Sequence, residues 1–561
     1  MEHTTITIIV YLFFTNYICQ EDPAAWHGDI KGRPLPRSAG DSDGDFELAK
    51  QWLSDCTFSH SPCQKKAVGE TRLPTRVLDL GPSDGSEEPY LLETHGIPGR
   101  YITLSHTWGG EVPLTTTSST ITERKQCIPL ALLPKTFHDA VIISRKMNIR
   151  YLWIDSLCII QDSKLDWEKE SALMGDVYGR SYLTIAARGA TYADIGCFIS
   201  RPEEPPPCRL DYRSLDGCIE GQMYVRDPSF QLERIDKSPL DQRGWVLQER
   251  ALSLRILYYG SQQLYWECAS ATIRQDGKFR DVDGDDLRSY SGFKEDWDFE
   301  PKSNPKFHGV DVDELPAGLQ IDLAQYMGQW HLLVEEYTRR QLTFVSDKLP
   351  AIAGIAKKYQ QLTGYTYAAG LWKEDLPSCL LWFRSGGRDA PISTHLPTWS
   401  WARFSGKVDF LSPSIGLLHA PDDSCKVIDL SYDTTDNLRN YGELSNARIQ
   451  IEGRVVGTIL VEDGPTALYE TSLALFTKAG AAVGTPSFDE KEPRQEGFEC
   501  FCLLVHGRLG SGAGLILEQV NGSKNVYRRI GYVGIPTTSL PDARDGRIAF
   551  SDVDPEVISI I

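Results

Sequence analysis

A chain of 561 residues, 41% hydrophobic and 24% charged, has an ordinary globular composition and the length of about three to four domains. A formal charge of −19 excludes the basic footprint of a nucleic-acid binder and adhesion to an anionic membrane surface. The 13 cysteines sit mostly inside apolar runs, as at Cys158, Cys268 and Cys379, and read as reduced buried thiols rather than a disulfide framework.

The chain opens with an apolar stretch, Ile6–Cys19, about the length of a signal-peptide core but short for a membrane span. No Lys or Arg precedes it, so it reads as a poorly chosen start or a local helix or strand, with a secretory signal as the alternative, and a membrane anchor is not expected. Residues 20–45 are a Gly/Pro/Asp/Ser-rich lead-in. A helix-like segment, Phe46–Leu53, leads to Cys56-x3-His60-x2-Cys63. Three soft ligands at that spacing invite a zinc reading, but no fourth follows nearby, and a packed loop with no metal is expected.

Leu73–Leu80 alternates like a strand. Tyr101–Ser105 is the next, opening into His106-Thr107-Trp108-Gly109-Gly110, where paired glycines let a ligand approach the backbone. A helix over Thr136–Met147 is expected to start on a Thr136/Asp139 capping box. The central stretch, Asn148–Asp162, holds a short aromatic and β-branched run stopped by Asp155, the pattern of a strand buried on both faces. A second capped helix runs from Ser163 to Tyr178 with Asp166 at the box position. On it Trp167, Ser171, Met174 and Tyr178 form a stripe, with Glu170 half-buried at its edge while Glu168 and Asp176 face away. Tyr182–Ala187 closes a strand–helix–strand–helix–strand unit, which implies adjacent parallel strands.

Further on, Arg255–Gly260 and Gln263–Cys268 read as a hairpin, and residues 274–318 as an insertion. Helices are expected over Asp322–Arg340 and after Pro350. The cluster Trp399-Ser400-Trp401 reads as packing, and the chain turns β-rich beyond Asn446. The glycine run at Gly510–Gly514 lacks a phosphate-loop Lys and reads as a turn.

Three blocks, Tyr101–Gly109 (YITLSHTWG), Leu152–Gln161 (LWIDSLCIIQ) and Arg243–Glu249 (RGWVLQE), together resemble the fungal heterokaryon-incompatibility (HET) domain. The likeness extends over roughly residues 46–405, with His106 standing where the family often has Tyr. It implies a parallel-sheet, TIR-like α/β domain, a cytoplasmic protein and a part in non-self recognition ending in cell death. It also implies remote kinship with domains that cleave NAD at the nicotinamide–ribose bond. The organisation expected is a lead over 1–45, the HET domain over 46–270, a linker over 271–320, a helical and Trp-rich region over 321–440 and a β-rich region over 441–561.

The catalytic carboxylates on this reading are Glu170 and Asp155, with Ser105, His106, Trp108 and Gly109 lining the crevice outside the strand ends, where a doubly wound sheet receives a nucleotide. NAD enters as substrate and no cofactor is called for. Each candidate has a structural alternative. Glu170 could pair with a Lys or Arg at the helix edge, and Asp155 could cap the turn after its strand. Arg243, Gln248 and Glu249 suit an internal ion-pair network better than a pocket. Ser105 and His106, adjacent on a strand, face opposite sides and are not a dyad. Two other functions fit the resemblance: a non-enzymatic module that self-associates or binds another incompatibility protein, and an accessory protein of a secondary-metabolite pathway.

Overall fold

The computed structural model describes residues 15–17, 39–67, 70–109, 114–201, 208–214, 217–226, 238–277, 279–280, 317–386, 393, 395–411, 424–433, 444–463, 472–490, 494–508, 511–536 and 545–561. The chain forms two compact units, Met1–Glu300 and Pro301–Ile561. Most of the amino-terminal apolar stretch and of the 274–318 insertion lies outside the described residues. Thr15–Tyr17 pairs antiparallel with Tyr224–Arg226, and among the described residues no helix is long and apolar enough to cross a membrane.

The first unit is built on a nine-stranded sheet. Its strands are β1 (Arg76–Asp79), β2 (Tyr90–Glu93), β3 (Tyr101–Ser105), β4 (Tyr151–Trp153), β5 (Leu183–Ala186), β6 (Arg255–Tyr259), β7 (Leu264–Cys268), β8 (Thr272–Arg274) and β9 (Phe279–Arg280), in the spatial order β9-β8-β7-β6-β5-β3-β4-β1-β2. The helices around it are α1 (Asp43–Ser59), α2 (Ser61–Ala67), α3 (Lys135–Lys146), α4 (Asp155–Cys158), α5 (Lys164–Gly179) and α6 (Gly244–Leu252). β6, β5, β3 and β4 run parallel, with Tyr101 opposite Tyr151 and Ile102 opposite Leu183. All five residues of β3 and all four of β5 are buried, as strands covered by helices on both faces require.

The sheet is not parallel throughout, as expected from the sequence; it is mixed. β1 and β2 on one side, and β7 to β9 on the other, are antiparallel. The reason is connectivity: short links such as Gly260–Gln263 allow only antiparallel pairing, whereas the parallel strands are joined through helices. β4 also stops at Trp153, because Asp155 already belongs to the single turn of α4.

Ser163 caps α5 by accepting from the Asp166 N–H at 3.3 Å. At α3, however, the N-cap is Pro134, and Thr136 and Asp139 do not form the expected box. The Asp139 carboxylate accepts instead from the Cys197 and Phe198 N–H groups at 2.8 and 3.2 Å, and the Thr136 hydroxyl accepts from Gly196 N–H. They fasten the loop after β5 to the helix.

The second unit opens with helices Ala317–Thr338 and Pro350–Thr363, the latter carrying Pro in its first turn and Gly364 in a left-handed C-cap. A tryptophan core surrounds them: Trp330 lies 5.2 Å from both Tyr359 and Trp372, and Trp401 donates to Gly370 O at 2.9 Å. Beyond it, six antiparallel strands close on themselves. Val526–Ile535 pairs with Ala482–Phe488, followed in turn by Ser472–Thr477, Val455–Asp463, Glu499–Arg508 and Ser511–Gln519, and the last pairs back to the first. Leu460, Leu475, Val483, Cys502, Ile516 and Val533 fill its interior. Residues 511–514, read from sequence as a turn, lie within a barrel strand. A Cβ on Gly514 would sit 2.4 Å from Leu503 O, so the close strand approach there requires glycine.

Candidate active site

β3 and β4 end side by side, and their carboxyl ends bring together the residues that follow them. Asp155 is the first residue of α4. Its Oδ1 accepts from its neighbour Ser156 N–H at 2.7 Å and its Oδ2 accepts from the Trp108 indole N–H at 3.0 Å. The side chain keeps 19% of its surface open. Turn-forming and outward-facing roles are thus combined in one carboxylate. Trp108 is partly exposed, so its indole orients Asp155 at the rim.

Gly109 follows with φ +71°, and a Cβ there would lie 2.2 Å from Tyr192 Cβ. No other residue fits this turn without displacing the 190s loop. Gly110 lies outside the described residues.

Ser105 and His106 turn to opposite faces, as strand alternation demands. His106 is buried edge-on against Phe137 of α3, with ring centroids 4.9 Å apart, and its Nε2 is 3.9 Å from Asp155 Oδ1. Burial pulls its imidazole down to about 4, so it is neutral at physiological pH. That Nε2 has no hydrogen-bond partner among the described residues. The Arg243 guanidinium, at the start of α6, donates to the His106 carbonyl.

On Ser105's side lies Glu249 of α6, 5% exposed, with the Ser105 and Tyr178 hydroxyls against its carboxyl group. Burial pushes Glu249 up to about 7; Asp155 adds to the rise, and Arg243 and the two hydroxyls oppose it. Its Oε2 is buried without a hydrogen-bond partner among the described residues. Sequence reasoning assigned Glu249 to an ion-pair network. Its mid-helix position carries no local sign that α6 docks it beneath β3.

Glu170 belongs to a different cluster. It is fully buried rather than half-buried, at 2% exposure, with Arg76 of β1 at 3.8 Å and Lys169 at 3.9 Å. Burial raises its carboxyl, against a hydrogen bond from Thr75 and the charge of Arg76. Arg76 also holds Asp166 at 2.5 Å and donates to Cys158 O at 2.7 Å. Glu170 therefore braces Arg76 under α4, while Asp155, Trp108, His106 and Glu249 gather at the ends of β3 and β4.

The raised Glu249 makes a pH prediction. Its folded value of about 7 lies above the ordinary 4.5. The stabilisation from its bound proton is fully present below 4.5, declines as pH rises from there and is gone above about 7. Glu249→Gln removes that dependence. Urea unfolding of wild type and variant should therefore diverge by about 3 kcal/mol between pH 4.5 and 8, the wild type losing ground as pH rises. Parallel curves would mean that Glu249 is ionised in the fold.

No curated protein and no solved structure matches the chain. The family model described as heterokaryon incompatibility protein (HET) matches residues 101–249, a span that begins at the first residue of β3 and ends on Glu249 itself. It takes in every residue of the cluster, the Arg76 partners on α5 and the helices between. Residues 101–249 are a heterokaryon incompatibility (HET) domain.

Proposed function

We propose that the chain is a fungal non-self recognition effector that triggers cell death, and that its α/β domain does so by cleaving NAD at the nicotinamide–ribose bond. The observation that carries this reading is Asp155: a partly open carboxylate, aimed by the Trp108 indole, at the carboxyl edge of four parallel strands. The same parallel centre supports the likeness to TIR domains.

The chemistry asks little beyond such a carboxylate. As the ribosyl C1–N bond breaks, its electron pair neutralises the pyridinium, so nicotinamide leaves without needing a proton. The positive charge left on the sugar is what the Asp155 carboxylate stabilises. Water then adds to C1 and gives up a proton. Glu249, held up to about 7 behind the Ser105 hydroxyl, has the matched affinity to take it. Neutral His106 adds no positive charge beside the developing cation. Glu170 takes no part in the chemistry in this reading; it lies beside Arg76 in the neighbouring cluster.

Induced expression in a filamentous fungus tests it. Wild-type protein should stop growth and deplete cellular NAD, and Asp155→Asn at equal abundance should do neither. Growth arrest with NAD unchanged would favour a non-enzymatic signalling module.

A further inference from the structure

We propose that Cys56, His60, Cys63 and Cys268 form a structural zinc site that fastens the amino-terminal helix pair to strand β7. Cys56 lies in the last turn of α1 and His60 is the residue that caps its C-terminus. Cys63 lies in the first turn of α2, and Cys268 ends β7, 208 residues beyond His60. The four ligand atoms lie within 4.8 Å of one another, and Cys268 Sγ is 3.3 Å from His60 Nδ1. A tetrahedral zinc–sulfur bond of about 2.3 Å sets sulfur atoms about 3.8 Å apart, so only a small contraction closes the site. The three cysteines are fully buried and free of disulfides.

Arg255 is the independent sign that this cluster is anionic. Its guanidinium is 1% exposed. It donates from Nε to Cys56 Sγ at 3.2 Å, and among the described residues otherwise reaches only the carbonyls of Tyr182 and Cys63, with the Tyr182 ring 5.4 Å away. No carboxylate pairs with it among the described residues. A buried guanidinium without an anion is strongly unfavourable. Three thiolates and one zinc ion carry a net charge of −1, which Arg255 neutralises. Metal binding releases the three thiol protons to solvent with no change of oxidation state. Soft thiolates select zinc over calcium or magnesium, and four protein ligands leave no open position, so the role is structural.

The test is metal analysis of the full-length chain after gel filtration in chelator, together with the cobalt-substituted protein. One zinc per chain is expected, lost in Cys268→Ser and kept in Cys379→Ser, a buried thiol of the second unit. The cobalt form should show the intense visible bands of a tetrahedral thiolate site, which reads the ligand set even if Cys268→Ser fails to fold. Wild-type protein without metal, whether its thiols titrate free or two of them form a disulfide, would overturn the assignment. So would zinc that survives Cys268→Ser, or iron in its place.

Discussion

Asp155→Asn should lower nicotinamide release from NAD by at least about 100-fold, the scale on which a charge aimed at a transition state acts. The change keeps the shape of the side chain and removes only its charge. One consequence must be separated from chemistry. Both carboxylate oxygens accept N–H groups, from Ser156 and from Trp108. An amide can accept from one and must turn its own N–H₂ towards the other, so the turn loses about 1 kcal/mol or more. Release is therefore compared at matched unfolding midpoints. Trp108→Phe gives the complementary result: it removes the indole donor and leaves the charge, and should weaken release less than Asp155→Asn. If the Asn variant releases nicotinamide at the wild-type rate, Asp155 is a turn former only.

The largest stability effect is expected in the second unit, at Arg529. Its side chain is fully buried. It pairs with Asp489 at 3.1 Å, donates at 2.5 Å to both Leu380 O and Trp382 O, and lies 3.3 Å from the centre of the Trp382 ring. One guanidinium thus ties a barrel strand to the strand Trp382–Arg384 and to the segment before it. Arg529→Met should cost about 3–5 kcal/mol, because it strands the buried Asp489 carboxylate and two carbonyls together. Adding Asp489→Leu should restore part of the loss, since an apolar pair carries no unpaired charge. Urea unfolding followed by tryptophan fluorescence reads both. A loss within about 1 kcal/mol in the single variant would show that the pair contributes no more than an exposed one.

The central strands were legible because burial on both faces leaves a mark in a single stretch, such as the β-branched and aromatic run before Asp155. The helical phase of α5 was legible too, and it rightly set Glu170 apart from Glu168 and Asp176. What it could not supply was Arg76, which arrives from a strand earlier in the chain and turns the edge of a stripe into a closed ion pair. Glu249 is the converse: nothing within its own turn distinguishes it from Gln248, and only the docking of α6 brings Ser105 and Tyr178 onto its carboxyl. Thr136 and Asp139 have capping-box spacing, yet the loop at 196–198 claims both side chains. The Cys56–Cys63 spacing looked incomplete for a similar reason, with Cys268 joining it only through the packing of β7.

The most direct measurement of the central claim is product analysis of NAD incubated with the purified full-length protein, run beside Asp155→Asn and Glu170→Gln. Wild type is expected to yield nicotinamide and ADP-ribose, Asp155→Asn nearly none, and Glu170→Gln to retain turnover at matched folding. NAD left intact by folded, self-associated wild-type protein would contradict the enzyme, and release that fails in Glu170→Gln but survives Asp155→Asn would contradict the site.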